Sequence, residues 1–216
     1  MGGGRADVFQ AGVFGRHSFG AAYVSGALAY AWQDVTTDRT VAVAGTDSLR
    51  GNFDAHTFAA RGETGYRFAT AFAGVTPYAA LQATSFHLPS YGEAAMSGSN
   101  QFALSFASQT TTNLRSELGA RADNSFLTPD GVLTLRGRLA WAHDSNTDRP
   151  VSAIFQALPG TTFTVNGARP SADSALVTAG AEMKWHNGFS LGGSFEGEFS
   201  DTTSRYAGKG ALRYQW

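Results

Sequence analysis

The chain has no cysteine among its 216 residues, which excludes disulfides, thiolate catalysis and cysteine metal sites. Charge is scarce as well, at 15% Asp, Glu, Lys and Arg, against about a quarter in an ordinary soluble domain. The formal net charge is −1 and no basic run stands out, so nothing electrostatic points to nucleic acid. No apolar run approaches the ~20 residues of a membrane-spanning helix. No stretch keeps a helical period over a full helix length either. The start, Met1-Gly2-Gly3-Gly4-Arg5-Ala6-Asp7, lacks the apolar core of a secretory signal. An exported protein beginning this way has lost its signal or is a piece of a longer chain, and the three glycines read as a loop or a truncation scar.

Glycine and aromatics are abundant instead, with 26 Gly and 16 Phe. They fall in a period-two pattern. At the C-terminal end Tyr206, Gly208, Gly210, Leu212, Tyr214 and Trp216 alternate with Ala207, Lys209, Ala211, Arg213 and Gln215. Upstream, Phe189, Leu191, Gly193, Phe195, Gly197 and Phe199 oppose Ser190, Ser194, Glu196, Glu198 and Ser200. Ala175, Val177, Ala179, Ala181, Met183 and Trp185 oppose Thr178, Glu182, Lys184 and His186, and Asn187-Gly188 is a strong hairpin signal between the two runs. Leu133, Leu135, Leu139 and Trp141 oppose Thr134, Arg136, Arg138 and Asp144. Leu114, Leu118, Ala120 and Ala122 oppose Arg115, Glu117, Arg121 and Asp123, while Phe58, Ala60, Tyr66 and Phe68 oppose Arg61, Glu63 and Arg67. Asp7–Arg16, Gly20–Asp34 and Val75–Phe86 are less regular candidates. About nine strands result.

Strands of roughly 9–11 residues that put apolar groups on one side and polar groups on the other fit an all-β, antiparallel up-and-down transmembrane β-barrel, with lipid outside and a polar lumen. The connections agree. Arg16–Gly20, Phe68–Val75, Asp123–Val132 and His186–Phe189 are short, and between them lie longer polar stretches at Thr37–Asn52, Pro89–Ser108 and Ser145–Asp173, with a briefer one at Asp201–Arg205. The breakers Pro150, Pro159, Gly160, Gly167 and Pro170 make Ser145–Asp173 read as a loop. Nine strands put Met1 and the C-terminus on opposite sides, whereas single-chain bacterial barrels have an even number. The sequence therefore predicts that strands preceding Met1 are missing.

An arginine toward lipid costs about 2–4 kcal/mol at mid-membrane, so the charged residues are placed in the lumen: Arg115, Glu117, Arg121, Arg136, Arg138, Glu182, Lys184, Glu196, Glu198 and Arg213. Glu196 and Glu198 have the i, i+2 spacing of an acid pair, but a wet, mutually paired lumen accounts for them and no catalytic residue is assigned. His17, His56, His87, His143 and His186 lack the short spacings of a metal site, and neither a G-x-S-x-G elbow nor a phosphate loop occurs. No cofactor and no metal are expected, and no enzyme activity.

With its strands placed, the chain resembles the C-terminal translocator β-barrel of autotransporters, the type V secretion proteins. The resemblance is carried by Asp7-Val8-Phe9-Gln10-Ala11-Gly12-Val13-Phe14-Gly15, Ala22-Tyr23-Val24-Ser25-Gly26-Ala27-Leu28-Ala29-Tyr30, Leu114-Arg115-Ser116-Glu117-Leu118-Gly119-Ala120-Arg121, Ala140-Trp141-Ala142-His143-Asp144, Phe163-Thr164-Val165-Asn166-Gly167-Ala168 and Asp173-Ser174-Ala175-Leu176-Val177. It implies that residues 1–216 are a partial barrel domain in the bacterial outer membrane, similar to the last nine of twelve strands, lacking the passenger, the lumen helix and the first strands. It implies outer-membrane lipid, the barrel-assembly machinery and the protein's own N-terminal passenger as partners, and passenger export as the function. The terminal segment resembles the signal read by that machinery, with Lys209, Leu212, Tyr214 and Trp216 as its positions and Ala211 where the family usually has Gly. A free-standing outer-membrane barrel acting as a porin or surface adhesin is the alternative.

Overall fold

The computed structural model describes residues 2–43 and 45–215. The described chain is strand and connection throughout: β1 Gly2–Phe19, β2 Ala22–Val41, β3 Asp47–Tyr66, β4 Phe68–Ala69, β5 Gly74–Leu88, β6 Tyr91–Ser97, β7 Leu104–Phe106, β8 Gln109–Thr128, β9 Gly131–Asp144, β10 Pro150–Phe155, β11 Thr162–Asn166, β12 Asp173–Trp185, β13 Phe189–Phe199 and β14 Ser204–Tyr214. β1, β2, β3, β5, β8, β9, β12, β13 and β14 follow one another as an antiparallel meander. These are the nine strands that the alternation predicts. Among the described residues β1 pairs only with β2 and β14 only with β13, so the sheet is not closed. Because nine antiparallel strands alternate in direction, β1 and β14 run the same way.

The polarity of this sheet is inverted relative to a soluble protein. Phe58, Leu81, Leu118, Leu139, Trp141, Leu191, Phe195 and Tyr206 are exposed, Leu139 at 65%, whereas the buried set includes Thr76, Glu117, Ser174 and Ser190. Ordinary folds do the reverse. The polar face is buried because the sheet curls around it. Arg121 of β8 reaches Tyr23 of β2, three strand spacings away along the ladder, about 14 Å in a flat sheet.

On the apolar face of β1–β3 the height of the hydrophobic band is legible. Phe19, Tyr66 and Phe68 lie by the tight turns, Val13, Val24 and Leu28 follow, and Phe9 and Trp32 stand side by side at the far end, in register with His56 and His87. Ten residues separate Phe9 from Phe19. At about 3.3 Å per residue that is about 33 Å of strand, or about 25 Å of height at a barrel's usual tilt, which is the band of a membrane barrel. The next row outward is Asp7, Asp34 and Asp54, also in register. The band therefore ends at three carboxylates.

Strands β1–β3 run on past this boundary, and here the sequence reading needs correction. Gly2–Gly4 are the start of β1 rather than a loop, and most of Thr37–Asn52 is strand. Pro89–Ser108 and Ser145–Asp173 are not plain loops either. They contain β6, β7, β10 and β11, which extend the upper half of β3 in the order β3-β6-β7-β10-β11. The breakers mark hairpin ends: Pro150 opens β10, and Gly160, at φ +95°, turns the chain toward β11. This outer piece has its own small core around Leu49, Ala103, Leu104 and Ala153, with Phe53, Tyr91 and Phe106 stacked in sequence at 4.2 and 4.5 Å. Arg39 and the buried Glu93 lock it at 3.0 Å, and Glu93 also accepts from the Leu104 amide.

The tight turns follow their residues. Gly20 (φ +63°) turns β1 into β2, and Gly188 (φ +87°) closes His186-Asn187-Gly188 with its amide donating to Trp185 O. Asn187 Oδ1 accepts from the Phe189 amide at 3.2 Å.

Candidate functional site

The polar face is the site, and ion pairs organise it into zones. At its centre Glu117, 2% exposed, accepts from Arg61 at 2.9 Å and from Tyr78 and Arg138. Glu63 accepts from Arg121 at 2.7 and 2.9 Å, from Tyr23 at 2.8 Å and from Arg61 at 3.0 Å. The Arg121 guanidinium lies 4.0 Å above the Tyr78 ring. Arg121 and Arg138 face each other in register across β8 and β9, a like-charge arrangement that destabilises a sheet unless compensated. Each turns to a different carboxylate, Arg121 to Glu63 and Arg138 to Glu117, so three arginines share two glutamates in one bonded cluster. Buried charge needs this degree of pairing.

Glycines make room at two points of this cluster. Gly65 lies beneath Tyr23, where an added Cβ would meet its ring at 2.6 Å. Gly119 pairs in register with Tyr78, and a Cβ there would stand 2.4 Å from Ala140 Cβ.

A second zone joins Arg115 of β8 to Glu198 of β13 at 2.6 Å, to Asp144 at 3.3 Å and to Ser174 at 3.2 Å. A third, toward β14, pairs Arg136 with Glu182 at 2.8 Å and Lys209 with Glu196 at 2.9 Å, and Lys184 donates to Gln215 at 2.9 Å. Arg213 borders the same depression of about 450 Å³ as Arg136, Glu182 and Lys209. Glu196 and Glu198 hold separate cations rather than acting as an acid pair.

All ten charged residues singled out in the sequence thus lie on one face, and all of them but Arg213 fall within the bonded zones. Tyr23, Tyr78, Arg61 and Glu63 complete the central cluster and are absent from that set. The available signal was parity: Tyr78 shares its face with Thr76 and Gln82, and Tyr23 with Ser25. The histidines do not converge, and among the described residues no three His, Asp or Glu side chains form a metal-binding group. His56 and His87 are in register, but their Nδ1 atoms bond outward, to Tyr30 and Thr110, both at 2.9 Å.

In the terminal strand Lys209 lies on the polar face, and Leu212 and Tyr214 on the apolar one. Tyr214 packs 4.7 Å from Phe189, and the Gln215 amide donates to Gly188 O at 2.9 Å. Trp216 lies outside the described residues.

An apolar outer face of membrane height, a charged and internally paired inner face and a hairpin meander define the wall of an outer-membrane-type β-barrel. The Autotransporter beta-domain family model matches residues 1–196. The chain belongs to that family. Two proteins of Serratia marcescens, each named extracellular serine protease, are 28% and 27% identical to it over 201 residues. Those alignments cover 90% of this chain but 18% of each relative, so the protease activity in their names is not carried over. The translocator domain of autotransporter NalP from Neisseria meningitidis has the same fold, with a TM-score of 0.74 at 14% identity, over 100% of this chain and 69% of that domain. The family is one of transport barrels rather than enzymes.

Proposed function

We propose that the chain forms the wall of an outer-membrane translocator that supports export of its own N-terminal passenger to the cell surface. The inverted polarity of the sheet carries this reading: large apolar side chains are exposed in a band about 25 Å tall while glutamates are buried. On this reading the apolar face meets lipid, and Arg115, Glu117, Arg121, Arg136, Arg138, Glu182, Lys184, Glu196, Glu198 and Arg213 line a hydrated lumen. Fixed, mutually satisfied charges keep that wall wet without gripping a passing chain.

Closure follows from strand direction. An open sheet in lipid leaves backbone groups unsatisfied, at several kcal/mol each. Because β1 and β14 run the same way, pairing them directly would make a parallel ladder. An antiparallel closure takes an odd number of additional strands, and three make the family's twelve. The free edge of β14 suits recognition by strand addition, with Lys209, Leu212, Tyr214 and Trp216 as the positions read by the barrel-assembly machinery.

The test is the native product in outer-membrane fractions, detected by an antibody to the Ser145–Asp173 segment, together with protease accessibility of the passenger on intact cells. A species well above 22.8 kDa and a surface-exposed passenger are expected. A stable inserted product of 22.8 kDa would instead support a free-standing porin or adhesin.

A further inference from the structure

Between the ion-paired zones and the outer core, the polar face changes character. Gln82 and Thr84 of β5 and Gln109, Thr111 and Asn113 of β8 line a groove of about 470 Å³ that contains Phe86 and is overhung by Arg149–Val151. The volume lies within the usual range for a ligand site, about 300–1,000 Å³. It holds two like Gln–Thr units, one on each strand and staggered along it. Gln82 donates its amide to Thr84 Oγ1 at 3.3 Å, and Gln109 donates to Thr111 Oγ1 at 3.3 Å. The register sets Asn113 opposite Thr84 and Thr111 opposite Phe86. Of the charged lining residues, Arg115 and Asp144 are bonded to each other, Arg149 at the overhang donates to the backbone carbonyls of Asn146 at 3.4 Å and Asp148 at 2.8 Å, and Asp144 also accepts from Asn113 at 2.6 Å. Among the described residues, neither glutamine carbonyl takes a side-chain bond, and neither threonine hydroxyl donates one.

We infer that this groove is a binding site for an extended polypeptide, held by its backbone and without regard to its sequence. Same-face groups on each strand repeat at about 6.7 Å, the repeat of successive same-side carbonyls and amides in an extended chain. Uncharged amides and hydroxyls both donate and accept, so they satisfy either backbone group. A charged wall, by contrast, would select for or against particular side chains. Phe86 adds an apolar contact of no fixed polarity. The occupant is the passenger segment in transit, so the inference rests on the translocator reading and assigns the part of the lumen that holds the moving chain.

The full-length protein in its own outer membrane provides the test. A benzophenone maleimide is attached at Leu88→Cys, in the groove, or at His87→Cys, its neighbour on the opposite face, and export is followed by pulse and chase. The Leu88 label captures passenger polypeptide early in the chase and loses it later, while the His87 label captures none. The paired change Thr84→Val with Thr111→Val lowers capture about fivefold or more, as expected for losing two backbone hydrogen bonds, with the amount of inserted, heat-modifiable barrel unchanged. Thr84→Ser with Thr111→Ser restores capture. Should the valine pair disturb insertion, Gln82→Leu with Gln109→Leu makes the same test. Capture that ignores these changes, capture of lipopolysaccharide sugar instead of protein, or no capture while passenger reaches the surface would overturn the inference and leave the translocator standing. Absence of surface passenger from the unsubstituted protein would remove the translocator reading, and this inference with it.

Discussion

Replacing Phe195 with Arg should prevent membrane assembly, and replacing its neighbour Ser194 with Arg should not. Phe195 sits in the middle of β13, in register with Ala179 and Gly208, and projects from the apolar face, 44% exposed. An arginine there faces mid-membrane lipid at a cost of about 2–4 kcal/mol, equivalent to a roughly 30- to 700-fold shift in the insertion equilibrium. Ser194 is one residue away on the other face, opposite Lys209 and beside the depression bordered by Arg136, Glu182 and Arg213. A long cation there extends into space already shared by both charge signs, and its cost should stay within about 1 kcal/mol. The assay is the amount of heat-modifiable protein in outer-membrane fractions at matched expression. Equal losses from the two substitutions would refute the assignment of faces, because the period-two argument allows no middle case.

Three further outcomes follow from the polar face and its glycines. Glu117→Ala leaves the half-buried Arg61 and Arg138 without their shared carboxylate, which should destabilise the barrel by about 1–3 kcal/mol, read as a lower temperature for loss of the heat-modifiable form; unchanged stability would contradict the paired network. Gly119→Ala drives a Cβ to within 2.4 Å of Ala140 Cβ and should cost about 1–3 kcal/mol, whereas Gly62→Ala, with nothing within 4 Å, should be neutral or slightly stabilising; the same melting measurement separates them. Gly188→Val places a branched side chain at φ +87° and a Cβ 2.2 Å from Gln215 O, so it should slow appearance of the inserted form in pulse labelling, while Asn187→Asp, which keeps the acceptor for the Phe189 amide, should not.

The nine meander strands were legible because each obeys a local rule, apolar and polar residues in alternation between turn residues. The four outer strands were not, because nothing local specifies them. β6 forms where Leu49–Gly51 of β3 offer an edge beyond the end of β5, and β10 and β11 are added in turn through contacts from residues 91 to 166. Pro150 and Gly160 were read as breakers when they bound a hairpin. Tyr23 and Tyr78 escaped for a different reason. An aromatic in a membrane strand reads first as a lipid or interface group, and only the position of the carboxylates beneath their hydroxyls shows them to be part of a polar network. Three of the ion pairs, Arg61–Glu117, Arg121–Glu63 and Arg115–Glu198, join strands two to three positions apart, a distance set by curvature of the sheet and invisible in strand-by-strand alternation.

The central claim is that one face of this sheet meets lipid and the other water. Because the chain has no cysteine, single cysteines can be placed from Phe189 to Phe199 and spin-labelled in the membrane-inserted protein. Collisional access to oxygen, which concentrates in lipid, should peak at Phe189, Leu191, Phe195 and Phe199, and access to a water-soluble nickel chelate should peak at Ser190, Ser194, Glu196 and Glu198. The two profiles should run out of phase with a period of two. Profiles without that period, or with both reagents favouring the same residues, would contradict the barrel wall itself.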